Sequence, residues 1–187
     1  MALFYVQHNS PFLRQGEIIS NLLEFKLQIP GGKSVEEVLG SARLDPIVHP
    51  YVIVISQDCD LEWDYKARLG QTSEHKVLIH TLFCGLFPRD EILDQTKRKS
   101  EAFRRIKDSQ DERYHYLSPA PINQTGDSLP ELVADFKSTF SLPTEFVYWL
   151  VSTAQVIRKG ELPSPYLEDF MHRAYSFLGR VATPPMT

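Results

Sequence analysis

This sequence has few cysteines, no long apolar run and no excess of basic residues. Two of its 187 residues are cysteines, Cys59 and Cys84, which excludes a small secreted scaffold held by several disulfides. No apolar run approaches the roughly 20 residues that a membrane helix needs. Residues 1–15 lack the basic start and apolar core of a secretory signal. We therefore expect a cytoplasmic protein with reduced thiols and no membrane association.

Several enzyme motifs are also missing. There is no Gly-x-Gly-x-x-Gly, Walker A loop, Gly-x-Ser-x-Gly elbow or His-Glu-x-x-His sequence, which argues against nucleotide-dependent, hydrolase-elbow and zincin chemistry. No cofactor is predicted. Residue types that bind metals do occur, but without a recognisable ligand spacing, so no metal site is predicted. These residues are Asp58, Cys59, Asp60, His80, Cys84 and His115.

The composition fits one globular domain over residues 1–187. Hydrophobic residues make up 42% of the chain, enough for a real core, and the formal net charge of −4 gives no general attraction to nucleic acid. One segment, 89–109, is locally basic, and it could attract a phosphate backbone. RNA therefore stays among the partners to consider, together with an unknown protein, a small molecule or a second copy of the chain. The basic residues are Lys97, Arg98, Lys99, Arg104, Arg105 and Lys107.

Apolar patterning predicts short strands with helical additions. A short helix is expected at Ser34–Ser41, with Ser34 as N-cap and Glu37 three residues on, and a longer one at Arg89–Ser109. Segment 145–157 fits both a period of 2 and a helical period, and we favour a strand. The other strands are predicted near 25–29, 51–56, 76–84, 113–117 and 132–136.

The C-terminal segment carries the regular spacing of an amphipathic helix. Apolar residues recur three and four positions apart from Leu167 to Val181, after Ser164 as a possible N-cap and Pro165 at the first helical position. The short spacing between strands leaves little room for crossover helices, so the sheet should be antiparallel. We expect an α+β fold, a small SH3-like barrel with its core at about 12–140, a helical insertion at about 88–109, and a C-terminal strand and helix at 143–181.

The most distinctive stretch is Tyr51–Leu61, where a run of β-branched apolar residues ends in Ser-Gln-Asp-Cys-Asp. Such a run predicts a buried strand, and functional groups often lie where a rigid element ends. We predict Ser56, Gln57 and Asp58 as binding residues. Beyond them, Asp58, Asp60, Glu62 and Asp64 alternate with apolar residues, and a solvated acidic face explains this alternation as well as a site does.

Cys59 and Asp60 are the candidate catalytic residues of this stretch. Cys59 would act as a nucleophile or redox-sensitive thiol if a cation lowered its pKa, whereas a packing role explains it otherwise. Arg113 and His115 share one face of a predicted strand. A histidine from another strand, His80 or His115, could serve as the partner of Cys59. If the face of Arg113 lies near Cys59, Arg113 could neutralise Asp58 or Asp60; an ordinary surface pair is the alternative.

The N-terminal third resembles the PemK/MazF-type proteins. The resemblance rests on Gly16-Glu-Ile-Ile19 followed by His49-Pro-Tyr-Val-Ile-Val-Ile-Ser56, which is similar to that family's Gly-Asp-Ile strand and its Arg-Pro-x-Val-Val-x-Ser strand. It implies the SH3-like barrel and, if the activity is shared, toxin-like cleavage of single-stranded RNA. Arg113, His115 and Asp60 are the residues we would nominate for that reaction.

A second resemblance extends over more of the chain. Ser56–Leu61, Arg113–Leu117, Val133–Phe136 and Tyr166–Val181 are similar to uncharacterised bacterial proteins with a Ser-Gln/His-x-Cys-Asp-Leu signature. It implies a bacterial protein and no particular reaction. The leading hypothesis is therefore a binding or regulatory module with a recognition or sensing surface at Ser56–Asp60. A toxin-like endoribonuclease and a thiol-based redox switch are the alternatives, so whether the protein is an enzyme stays open.

Overall fold

The structure, a computed structural model, describes residues 5–6, 10–28, 34–94, 99–121 and 128–180. The strands in these ranges are β1 (Glu17–Gln28), β2 (Arg43–Val54), β3 (His80–Pro88), β4 (Tyr114–Leu117), β5 (Ala120–Pro121), β6 (Ser128–Leu129), β7 (Leu132–Pro143) and β8 (Ile157–Glu161). The α-helices are α1 (Val35–Ser41), α2 (Asp58–Arg68), α3 (Arg89–Asp94), α4 (Lys99–Lys107), α5 (Thr144–Ser152) and α6 (Tyr166–Leu178), with a 3-10 turn at Glu74–Lys76.

Six of these strands form one antiparallel sheet in the order β4-β7-β3-β2-β1-β8, and β5 and β6 form a separate small pair. The α+β class and the antiparallel pairing are thus confirmed. The end strands β4 and β8 do not pair with each other in the described residues, so the sheet is open and a closed barrel is not shown.

Helices cover both faces of the sheet. On one face α6 packs through Phe170, Met171, Ala174 and Phe177 against alternate strand residues such as Ile18, Ile53 and Ala134. The opposite face carries α2 and α5 near β1, β2 and β3, and α3 and α4 near β4 and β7. Because side chains alternate across a strand, a central strand buried on both faces needs apolar residues at every position. This explains the unbroken apolar run at residues 51–55.

The strand favoured at 145–157 is wrong, because most of this segment is a helix. Segment 145–157 forms α5 and a turn, and only Ile157 belongs to a strand, β8. Burial of Thr144, Val147 and Leu150 follows the helical spacing of three residues. Residues 58–65 lie in α2. Asp64 lies on the buried face of this helix with Leu61 and Ala67, so the alternating acids do not form a single solvated face.

The helix starts differ in how well the sequence predicted them. Ser34 is the N-cap of α1 and accepts a hydrogen bond from the Glu37 backbone N–H at 3.2 Å, as predicted. Ser164 does not cap α6, whose N-cap position is Pro165. The helical segment predicted at Arg89–Ser109 is found as α3 and α4, and residues 95–98 between them, including Lys97 and Arg98, lie outside the described residues.

Candidate functional site

The predicted site lies where β2 ends and α2 begins, and we call residues Ser56–Asp60 the α2 corner. Ser56 is buried, and its Oγ accepts a hydrogen bond from the Leu82 backbone N–H at 2.9 Å. The adjacent Ile55 N–H donates to the Leu82 carbonyl at 2.9 Å. Ser56 therefore ties β2 to β3, and its hydroxyl has a structural contact inside the protein.

Asp58 begins α2 and is held by the chain that precedes β1. Arg14 Nε donates to both carboxylate oxygens at 2.9 Å, and a terminal nitrogen of the same guanidinium lies 2.6 Å from Oδ2. The Gln15 backbone N–H donates to Oδ1 at 2.8 Å. The hydrogen bond with Asp58 raises the pKa of Arg14. A carboxylate in the first turn also interacts favourably with the helix dipole, so the first turn of α2 has a fixed position.

The other residues of the α2 corner face solvent. Gln57, Cys59 and Asp60 are exposed, and the Cys59 thiol lies 3.7 Å from Gln57 Oε1 and 3.9 Å from Asp60 Oδ1. The corner therefore presents an amide, a thiol and a carboxylate at the surface.

Two residues from distant parts of the chain complete this surface. The Tyr175 hydroxyl on α6 donates to the Ile55 carbonyl at 3.3 Å, and the Gln15 side-chain amide contacts the same carbonyl at 3.3 Å and the Tyr175 oxygen at 3.4 Å. Sequence reasoning missed Arg14, Gln15 and Tyr175. Their contacts are 40 to 160 residues away in sequence, and no local pattern signals contacts at that separation.

Arg113 binds Asp135 rather than a residue of the α2 corner. Its Nε and a terminal nitrogen bind the two oxygens of Asp135 at 2.7 and 2.5 Å, and this pairing raises the pKa of Arg113. Asp135 is buried on β7 and is the partner that the sequence analysis did not identify. The suggestion that Arg113 neutralises Asp58 or Asp60 is therefore wrong, since Arg14 binds Asp58.

His115 is buried on β4 beneath α6. Its ring packs edge-on against Phe170 with the centroids 5.2 Å apart, and Nδ1 is buried without a hydrogen bond in the described structure. Burial lowers the pKa of His115 to about 4, and the positive charge of Arg173 adds to this shift. The ring is neutral at pH 7, so it is not a cation for the Cys59 thiol.

The structure does not bring the four candidate catalytic residues together. Cys59 and Asp60 follow β2, whereas Arg113 and His115 lie at β4, three strand positions away in the sheet order. At about 4.8 Å per strand, this separation is roughly 14 Å across the sheet. The α2 corner is therefore separate from Arg113 and His115. Helix α6 contacts both places, since Tyr175 bonds the Ile55 carbonyl beside the corner and Phe170 packs on His115.

His115 also lines a cleft of about 330 Å³ between β4, the start of α6 and the end of α4. This volume lies at the lower end for small-molecule sites. Its walls include the tyrosines Tyr5, Tyr116 and Tyr166, with Lys107 and Asp169 as charged groups. The Tyr116 hydroxyl donates to Glu131 at 2.8 Å, and burial together with this contact raises the pKa of Tyr116 to about 12.

The two cysteines have different environments. Cys59 is exposed and Cys84 is buried, and neither is in a disulfide. Burial, with a smaller contribution from the charge of Asp135, raises the pKa of Cys84 to about 12. His80, on the same strand as Cys84, is exposed. Among the described residues, no group of three or more His, Cys, Asp or Glu side chains is arranged to hold a metal ion.

Comparison with known proteins does not assign the chain to a family. No protein-family model matches the chain, and no curated protein is similar to it. Within the described part of the chain, none of the helices combines the length and the apolar character that membrane crossing requires.

Proposed function

We propose that this protein is a binding or regulatory module whose recognition surface is the α2 corner. The observation that carries the proposal is the clamp on Asp58 by Arg14 and Gln15, which holds the first turn of α2 in place. A preorganised surface loses less conformational entropy when a partner binds. Gln57, Cys59 and Asp60 then form the exposed set that a partner meets.

The chemistry of this surface favours a partner rich in hydrogen-bond donors. Asp60 and the Gln57 oxygen are acceptors, and Asp60 supplies the negative charge of this surface because Arg14 balances the charge of Asp58. A protein surface or a small molecule with a cationic group would complement them. Because Asp60 is exposed, such binding should weaken as the salt concentration rises.

The test compares partners captured by the wild-type protein and by the double variant Cys59→Ser/Asp60→Asn. We expect the variant to lose its specific partner, with an affinity at least about tenfold lower, because two surface contacts are changed. Glu62→Gln is the matched control, as Glu62 is a half-exposed acid one turn later that pairs with Lys66 at 2.5 Å. The proposal fails if the double variant binds every partner of the wild type with equal affinity while its melting temperature is unchanged.

The toxin-like endoribonuclease is a second proposal, and it would need the PemK/MazF-type barrel and a cation beside a base. The sheet is open in the described residues, and the pairing of Arg113 with Asp135 and the burial of His115 do not favour the activity. Incubating the purified protein with mixed single-stranded RNA is the direct test. RNA that stays intact with and without divalent cations would remove the proposal.

The redox-switch proposal rests on the exposure of Cys59, and a cytoplasmic location is proposed with it because both thiols are free. It requires Cys59 to react with iodoacetamide much faster than Cys84, whose thiol is buried. Equal slow labelling of both cysteines would contradict it. A switch also requires that modification of the Cys59 thiol changes partner binding, so binding is measured before and after labelling.

A further inference from the structure

The β1–β2 hairpin extends well beyond the rest of the sheet. β8 pairs with β1 only over Glu17–Ser20, and β3 pairs with β2 only over Tyr51–Val54. β1 and β2 continue to pair with each other as far as Gln28 and Arg43. We call residues 22–28 and 43–49 the ribbon. In the described structure, both outer edges of the ribbon lack a strand partner.

One face of the ribbon is entirely apolar. Residues directly opposite each other in an antiparallel pair place their side chains on the same face. Three successive cross-strand pairs of one face are Leu23 with Val48, Phe25 with Pro46, and Leu27 with Leu44. Four residues of this face are exposed to solvent over 46% to 64% of their surface, namely Phe25, Leu27, Leu44 and Val48.

This apolar surface continues onto α5 at the base of the ribbon. The rings of Phe25 and Phe146 are 6.0 Å apart, and Phe146 stacks on Trp149 at 5.9 Å. Trp149 is itself about half exposed. At roughly 100 Å² for each half-exposed large side chain, the five exposed residues present on the order of 500 Å² of apolar surface, at the upper end of single patches on monomers. Because homodimer interfaces are about 65% apolar, a patch of this size with its polar rim corresponds to roughly 800 Å² per copy, the size of a standard interface.

The opposite face of the ribbon carries balanced charges. Glu24 lies 2.7 Å from His49, Lys26 is opposite Asp45, and Arg43 is opposite Gln28. Two acids, Glu24 and Asp45, thus match two bases, Lys26 and Arg43. A nucleic acid would need an excess of basic residues here. The balanced charges also add no net repulsion between two copies that approach through the apolar face.

We propose that the apolar face of the ribbon is an interface between two copies of this chain. A two-fold axis brings the same patch of both copies together, so that each Leu27 and Leu44 packs against the apolar face of the partner copy. Pairing covers the exposed apolar residues, which would otherwise face water. This dimer is independent of the α2 corner.

Sedimentation equilibrium of the full chain tests the proposal. We expect a dimer for the wild type and, for the double variant Leu27→Glu/Leu44→Lys, a dissociation constant raised by at least about 100-fold, because each copy loses two leucines that the interface buries. The two new charges face each other across the strands, so the ribbon itself keeps a favourable pair. Leu69→Lys is the matched control, a leucine that is 54% exposed on the C-terminal side of α2 and should leave the dimer unchanged.

Two results would overturn the proposal. One is a wild type that stays monomeric at the highest soluble concentration. The other is a double variant that dimerises as tightly as the wild type, because the contact would then use another surface. If circular dichroism shows that the double variant is unfolded, Val48→Thr replaces it, since this nearly isosteric change keeps a β-branched residue in the strand. It must weaken the dimer about threefold or more.

Discussion

Among the described residues, three buried carboxylates are paired with arginines, whereas the buried imidazole of His115 has no such partner. Glu17, Asp64 and Asp135 are buried carboxylates, and each binds an arginine that reaches the surface. Asp64 also accepts the Leu78 backbone N–H at 2.7 Å, which joins α2 to the chain before β3. Such pairing is what allows an acid to be buried. His115 instead has a buried Nδ1 without a hydrogen bond in the described structure.

The protein should therefore lose stability in mild acid because of His115. Its pKa is about 4 in the folded state, against 6.5 for the ordinary side chain. Between these values the unfolded chain binds more protons, so stability is fully present above pH 6.5 and falls as the pH drops towards 4. The contribution is on the order of 3 kcal/mol. Urea unfolding at several pH values should show a shallower decline between pH 6.5 and 4 for His115→Phe than for the wild type.

His80→Gln is the control for this measurement, since His80 is exposed on β3. Its stability should follow the same pH dependence as that of the wild type. Identical slopes for His115→Phe and the wild type would mean that the imidazole becomes protonated in place, and that burial does not lower its pKa.

At the scale of elements, α6 is the helix that both supports the core and reaches the candidate site. Its apolar stripe, Phe170, Met171, Ala174 and Phe177, is buried against the sheet. Tyr175, on its exposed side, contacts the Ile55 carbonyl at 3.3 Å. The periodicity of α6 predicted its buried face, because a stripe at spacings of three and four residues is a property of the helix alone.

We expect Phe170→Ala to destabilise the protein by about 4 kcal/mol, because Phe170 is fully buried and packs against His115 and Phe136. Leu178→Ala, at the end of the same helix, is the control and should cost less than about 1 kcal/mol since Leu178 is half exposed. Chemical unfolding monitored by circular dichroism measures both. Similar losses for the two variants would show that α6 is not anchored by its apolar stripe.

Helices α2 and α5 show where elements could not be predicted from local pattern. Segment 145–157 fits both periods, and contact of Val147 and Leu150 with the core selects the helix. In α2 the regular alternation of acidic and apolar residues was compatible with a solvated acidic face or with a site. Asp64 is the acid that contradicts a solvated face, because it is fully buried and pairs with Arg68. An acidic residue is expected to be exposed, so the sequence did not indicate its burial.

For the whole molecule, the contact between Glu17 and Arg158 joins residues 141 positions apart. Glu17 lies on β1 and Arg158 on β8, and Arg158 also donates to the carbonyls of Ser10 and Phe12 at 2.7 and 2.8 Å. This one guanidinium thus holds the N-terminal segment, β1 and the last strand of the sheet together. The N-terminal segment in turn supplies Arg14 to the α2 corner.

Arg158→Met should therefore cost about 4 kcal/mol, because it leaves the fully buried Glu17 carboxylate without its arginine. The double variant Glu17→Gln/Arg158→Met should recover part of this loss by removing the buried charge. Lys66→Met, which breaks the half-exposed pair with Glu62, should change stability by less than about 1 kcal/mol. Equal effects of Arg158→Met and Lys66→Met in urea unfolding would contradict this assignment.

The sequence by itself determined the α+β class, the antiparallel sheet, the buried strand that precedes Ser56 and the stripe of α6. These features depend on residue spacing within one segment, and local sterics and burial act at that range. Only the tertiary structure decided that the sheet is open in the described residues, that Arg14 rather than Arg113 binds Asp58, and that His115 is buried away from Cys59. Each of these depends on which distant segments meet, and that is set by packing of the whole chain.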